Sequence, residues 1–185
     1  MRVLVAYASK YGSTKGIADF IGDRLRQKGL EANVFEVDSV KDVRDYDAFV
    51  VGSALYMFHW MKEAKRFVSK NAETLANHPL WLFSSGPVGT KRKNAQGQDL
   101  LEVSGPKELA EISALVKPLG HKVFFGALDG SRLTGSMGFF YKMARRSQAA
   151  RNAMPEGDFR DWKEIEGWAD GISEALEFRE GQASL

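Results

Sequence analysis

Short, almost unbroken apolar runs recur along the chain, each closed by glycine, serine, proline or aspartate. Five of them, at 3–7, 32–37, 48–52, 80–84 and 122–128, read as strands. Three ("VLVAY", "AFVVG" and "KVFFGAL") are nearly continuous, as expected of parallel strands covered on both faces. Between the runs the period lengthens to that of a helix. Thr14, Ile17, Ala18, Ile21 and Leu25 share one face, and Gly29 stands where a C-terminal cap glycine belongs. Met61, Ala64, Phe67, Val68 and Leu75 predict a second helix. Pro106 opens a third, "PKELAEISALVK", which Pro118 ends. In the last, Asp161 and Glu164 resemble a capping box, while Trp162, Ile165, Trp168, Ala169, Ile172 and Leu176 form one stripe.

Strands alternating with helices predict an α/β fold whose parallel sheet is joined by right-handed crossovers. Five strands favour the doubly wound order 2-1-3-4-5, with the ligand at the carboxyl ends of the strands beside the first one. Three loops should then meet: 8–14, 53–60 and 85–98. No repeat, low-complexity tract or dividing linker is visible, so residues 1–185 read as a single domain.

Composition narrows the classes. Hydrophobic residues at 44% and charged residues at 27% are ordinary for a soluble globular protein of 185 residues. A net charge of +2 is too small to argue for nucleic acid. The charge is unevenly placed, however. Between Gly130 and Pro155 stand Arg132, Lys142, Arg145, Arg146 and Arg151 with no acid among them, and acids dominate from Glu156 to Glu180. The chain has no cysteine, which excludes disulfides, thiol catalysis and cysteine-ligated metals and fits a cytoplasmic protein. The first apolar run, 3–8, falls short of the roughly 7–15 residues of a signal h-region. No segment approaches the roughly 20 apolar residues of a spanning helix.

The first loop, Ser9, Lys10, Tyr11, Gly12, Ser13 and Thr14, has the parts of a phosphate cradle: backbone N–H groups around a glycine, a helix N-terminus and three hydroxyls. Plain capping of the helix by Ser13 or Thr14 is the competing explanation. The loop is neither a Walker A sequence nor a G-x-G-x-x-G fingerprint. The second loop, Ser53, Ala54, Leu55, Tyr56 and Met57 followed by Phe58 and Trp60, is apolar where loops are usually polar. Such residues pack into the core or face a flat apolar ligand, and Tyr56 is the better candidate for the ligand side. The third, Ser85, Gly86, Pro87, Val88 and Gly89, permits close backbone approach. It continues into Lys91, Arg92 and Lys93, which form an anion-binding rim or a solvated loop. His59, His78 and His121 are scattered, so no metal site is expected and no protein acid or base is assigned.

"SKYGSTKGIA", "VGSALYMFHW" and "SSGPVG", in this order, resemble the three flavin-mononucleotide loops of the flavodoxin superfamily. Within it the chain is most similar to the flavodoxin-domain, menaquinone-dependent protoporphyrinogen IX dehydrogenases, on "GALDGSRLTGSMGFFYKMARR" and "GDFRDWKEIEGWADGI". The resemblance implies a flavodoxin-like three-layer sandwich that binds FMN. Residues 9–14 would take the phosphate, and 53–57 and 85–89 would border the ribityl chain and isoalloxazine ring. One departure is the first loop, which lacks the superfamily's usual Thr-x-Thr-Gly form. Another is the connection after the fifth strand, which is short in ordinary flavodoxins. Roughly 30 residues intervene here, an extended loop or helix insertion at about 130–160 whose length suggests function.

The expected activity, by resemblance, is that of an FMN-dependent oxidoreductase in heme biosynthesis, passing electrons from an organic substrate such as protoporphyrinogen IX to a quinone. The substrate's propionates would suit Lys91 to Lys93. A flavodoxin-type electron carrier, which typically presents an acidic face to its partners, is the alternative, disfavoured by the near-neutral charge and basic loops, and a flavin-free binding module is a third. The segment "SMGFFYKMARRSQAAR", 136–151, reads as a helix with Met137, Phe140, and Met143 or Ala144 on one side, widened by Phe139 and Tyr141. Lys142, Arg145, Arg146 and Arg151 supply its charge. It suits peripheral association with the inner face of an anionic membrane, or a gate over the flavin. The alternative is that its apolar residues pack on the sheet.

Overall fold

A computed structural model describes residues 1–153 and 155–183, without the side chains at positions 136, 137, 152, 153 and 183. The first strand, β1 (Arg2–Ala8), is central, and its two faces explain its unbroken apolar run. Val3, Val5 and Tyr7 point to one layer of helices, and Leu4, Ala6 and Ala8 to the other. Helix α1 (Ser13–Gln27) buries Ile17, Ala18, Ile21 and Leu25 against the first layer. It ends in a Schellman motif: Gly29, at φ 87°, donates to Arg26 O at 3.0 Å, and Leu30 N–H reaches back to Leu25 O at 3.1 Å. A side chain at Gly29 would strain this turn, which sends the chain into β2 (Glu31–Glu36).

The next strand, β3 (Ala48–Tyr56), pairs with β1 and folds back into a short hairpin with β4 (His59–Trp60). Two helices follow, α2 (Lys62–Lys70) and α3 (Ala72–Ala76). They divide the single helix expected here at Asn71, whose side-chain amide donates to Phe67 O at 2.8 Å. Beyond them come β5 (Leu80–Ser85), α4 (Leu100–Val103), α5 (Leu109–Val116) and β6 (Gly120–Phe124). The parallel order is β2-β1-β3-β5-β6, which is the predicted 2-1-3-4-5 once the β4 hairpin is set aside. The fold is the flavodoxin-like α/β sandwich. Ala64, Phe67, Val68, Leu75, Ile112 and Val116 cover one face of the sheet. On the other, α1 is joined by α8 (Trp162–Ala183), with Ile165, Ala169, Ile172 and Leu176 buried along its stripe.

The run 122–128 does not continue as one strand. β6 leaves the sheet at Phe124, and β7 (Ala127–Leu128) pairs antiparallel with β8 (Gly157–Asp158). Between β7 and β8 lie α6 (Gly135–Ala144) and α7 (Gln148–Ala153). The capping box of α8 is half formed. Asp161 Oδ1 accepts from Lys163 and Glu164 N–H at 3.1 Å, while the Glu164 carboxylate turns to Lys122 at 2.9 Å and Arg92 at 3.2 Å.

Candidate functional site

The carboxyl ends of β1, β3 and β5 open onto one cavity of about 360 Å³. The first loop contributes Ser9, Tyr11, Ser13 and Thr14, the second Ala54, Leu55, Tyr56 and Met57, and the third Ser85, Gly86 and Val88. The other candidate residues are placed differently. Lys10 carries its ammonium over the Tyr11 ring, and Gly12 lines an adjoining cavity. Ser53 is buried, with its hydroxyl accepting from Met61 N–H and donating to Ala54 O, both at 3.0 Å; it ties β3 to the start of α2. Pro87 O accepts from Gly126 N–H at 2.9 Å, and Gly89 borders a separate hollow with Thr90, Arg92 and Phe125.

The polar end of the cavity is the N-terminus of α1. Gly12 is its N-cap at φ 91°, and no side chain caps it, so the first N–H groups lack intrahelical partners. The capping explanation for Thr14 therefore fails. Its Oγ1 is fully buried and has no hydrogen-bond partner, and the buried Tyr11 hydroxyl is also without one. An unpaired buried hydroxyl costs about 1–3 kcal/mol, which a ligand acceptor would recover. The other hydroxyls are engaged. Ser9 Oγ accepts from Gly12 N–H at 3.1 Å. Ser13 Oγ accepts from Ala127 N–H at 2.8 Å and meets Ser85 Oγ at 3.1 Å, joining the first loop, the third loop and β7.

The second wall is the β3–β4 hairpin. Its two turn residues, Met57 and Phe58, both have positive φ, 51° and 64°, in a two-residue turn that ordinarily takes asparagine and glycine. Met57 is 88% exposed at the rim. Burial around the Tyr56 phenol oxygen pushes its pKa up to about 12, with the Tyr11 phenol adding to the shift. The hairpin is anchored on both sides: Lys107 N–H donates to Phe58 O at 2.9 Å, and His59 Nδ1 meets Glu108 Oε1 at 2.8 Å.

Lys91, Arg92 and Lys93 do not line this cavity. Arg92 is bound to Asp99 at 2.8 Å and to Glu164 at 3.2 Å, so its charge closes the third loop onto α8 rather than forming a rim.

A third wall comes largely from the insertion whose length suggests function, although none of its residues is among the sequence-predicted binding residues. Gly126, Ala127, Leu128, Leu133 and Tyr141 complete the lining, and all come from the connection between β6 and α8. Tyr141 turns inward instead of widening the apolar surface of α6; it is buried and donates to Glu156 Oε1 at 3.0 Å. Phe139 and Phe140, 63% and 62% exposed, and Met143 face outward, against packing on the sheet. The Met137 side chain lies outside the described residues. No helix among the described residues is long and apolar enough to cross a membrane.

The cavity thus has an anion-ready polar end, apolar walls and no carboxylate in its lining. Its shape and chemistry suit a flat ligand with an anionic tail, and its titratable side chains are the phenols of Tyr11, Tyr56 and Tyr141. The chain is 23% identical over 176 residues to protoporphyrinogen IX dehydrogenase (quinone) of Escherichia coli K12, covering 94% of this chain and 95% of that one. Among solved structures it is similar to a flavodoxin from the domain Archaea, with a TM-score of 0.58 at 15% identity over 96% of this chain and 99% of that chain. It is also similar to the rubredoxin oxygen:oxidoreductase of Desulfovibrio gigas, with a TM-score of 0.59 at 14% identity over 95% of this chain and 36% of that chain. The model of the flavodoxin domain matches residues 4–148, and the chain belongs to that family.

Proposed function

We propose that this protein is an FMN-dependent oxidoreductase that passes electrons between an organic substrate and a quinone. The observation that carries the cofactor is Thr14 Oγ1, buried and unpartnered at an uncapped helix N-terminus inside the cavity. That donor set fits a phosphate monoester. When bound, FMN supplies redox chemistry that none of the lining side chains offers. The N-terminus of α1 and the Thr14 hydroxyl hold the phosphate. Leu55, Tyr56, Val88, Leu128 and Leu133 present apolar surface to the ring and exclude water, and residues 53–57 and 85–89 border it.

The quinone and the substrate class come from the name of the Escherichia coli relative, and protoporphyrinogen IX is the substrate to test first. The surface supports an apolar reaction partner. Met57 lines the cavity and is exposed, as is its turn neighbour Phe58; Tyr141 lines it from α6, the helix on which Phe139, Phe140 and Met143 are exposed. Lys142 and Arg146 stand beside them on α6 and the turn after it. We infer that this face rests on an anionic membrane, where quinones partition. Heat-released flavin identified by mass tests the cofactor, and FAD or no flavin defeats it. Steady-state turnover of protoporphyrinogen IX with a menaquinone analogue tests the activity; reduction without turnover leaves an electron carrier.

A further inference from the structure

The β6–α8 connection places a guanidinium against the α1 cradle. Arg132 ends a short 3-10 turn (Gly130–Arg132) capped by Asp129, whose Oδ1 accepts from Ser131 N–H at 3.0 Å. The other Asp129 oxygen pairs with Arg132 Nε at 3.2 Å, holding that edge of the guanidinium. The opposite edge faces Gly12: Arg132 Nη1 lies 2.8 Å from the position a Cβ there would take. Arg132, Tyr11, Gly12 and Ser13 line a cavity of about 330 Å³, which shares Tyr11, Ser13, Ala127 and Leu128 with the larger one.

A cation at a helix N-terminus opposes the helix dipole unless an anion lies between them. The neighbouring acids do not fill that role. Asp158 is taken by Arg160 at 2.6 Å, and Glu156 by Tyr141 and Arg145. Arg160 also approaches the cradle, but its free nitrogen donates to Ser13 O at 3.3 Å, which makes it a strut between α1 and the chain after β8. Among the described residues Arg132 has no such second bond, and Thr14 Oγ1, two residues along the chain from Gly12, is buried and unpartnered.

We propose that Arg132 is an additional phosphate-binding residue, which pairs with the dianion held at the α1 N-terminus and so selects FMN over riboflavin. This rests on the reading of the cradle as a flavin phosphate site. The test titrates the apo-protein with FMN and with riboflavin, following flavin fluorescence, for wild type, Arg132→Gln and Arg132→Lys. Arg132→Gln is expected to weaken FMN about tenfold, to leave riboflavin unchanged and to flatten the salt dependence of FMN binding. Arg132→Lys should recover part of the loss. An equal loss for both flavins, or none for FMN, overturns the proposal. A wild-type protein that binds neither flavin overturns the cradle reading itself.

Discussion

Trp60 donates its indole N–H to Ser84 Oγ at 2.8 Å, and Ser84 Oγ in turn meets His121 Nε2 at 2.9 Å. This chain ties the end of the hairpin to β5 and β6, and Ser84 adjoins the cavity-lining Ser85. Burial lowers the His121 pKa to about 4. In the unfolded chain it would titrate near 6.5. The unfolded state therefore binds more protons between those values, so the stabilisation is complete above about pH 6.5 and is lost as pH falls toward 4. Thermal unfolding midpoints should drop across that window in wild type and drop less in His121→Gln. Parallel curves would show that His121 carries no part of the effect.

Thr14→Val should act in opposite directions on the two states. Removing an unpaired buried hydroxyl should stabilise the apo-protein, by up to about 1–3 kcal/mol. The same change should weaken FMN by about 1–2 kcal/mol, through loss of a hydrogen bond to phosphate. Urea melts of the apo-protein and flavin titrations read the two effects separately. Unchanged flavin affinity would remove Thr14 from the site.

Gly52 tests the packing behind the site. A Cβ there would overlap the Phe83 ring, which is fully buried under α8. Gly52→Ala should cost about 1–3 kcal/mol in denaturant unfolding. Pairing it with Phe83→Leu should return part of that loss.

The hairpin tip should prove strained. Phe58→Gly, alone or with Met57→Asn, fits the positive φ angles better and should raise stability by about 1 kcal/mol for each residue relieved. If the exposed tip engages a membrane-borne acceptor, the same double variant should bind anionic vesicles less well. A drop in stability would show that the side chains, not the backbone, hold the turn.

The sheet was legible because each strand carries its own apolar run and each helix its own stripe. Val3, Val5 and Tyr7 alternate with Leu4, Ala6 and Ala8 wherever they are read. The polar end of the site was legible for a related reason: a strand that stops at Ala8 and a helix that starts at Ser13 leave little choice for the residues between them. Long-range contacts were not legible. Nothing in "KVFFGAL" announces that Ala127 and Leu128 change partners from β5 to β8. Gly126 marks the place, since a side chain there would crowd Gly86 O and the hydroxyls of Ser13 and Ser85. The basic run 91–93 misled because its composition does not reveal that Arg92 is spent on Asp99 and Glu164. Tyr141 looked like one more exposed aromatic until Glu156, distant in the helical pattern, gave its hydroxyl a partner.

The two-residue ladder between β7 and β8 has a consequence for how such a chain can change. Ala127 lies opposite Asp158 and Leu128 opposite Gly157, so everything from 129 to 156 leaves and returns through one narrow neck. Doubling a closed loop costs only about 0.6 kcal/mol in chain entropy. Residues can be added or deleted beyond the neck while β6 and α8 keep their positions. The neck thus lets the stretch that carries the exposed phenylalanines change in length and surface while the sheet beneath stays fixed, with Arg132 and Tyr141 as the positions there tied to the cavities.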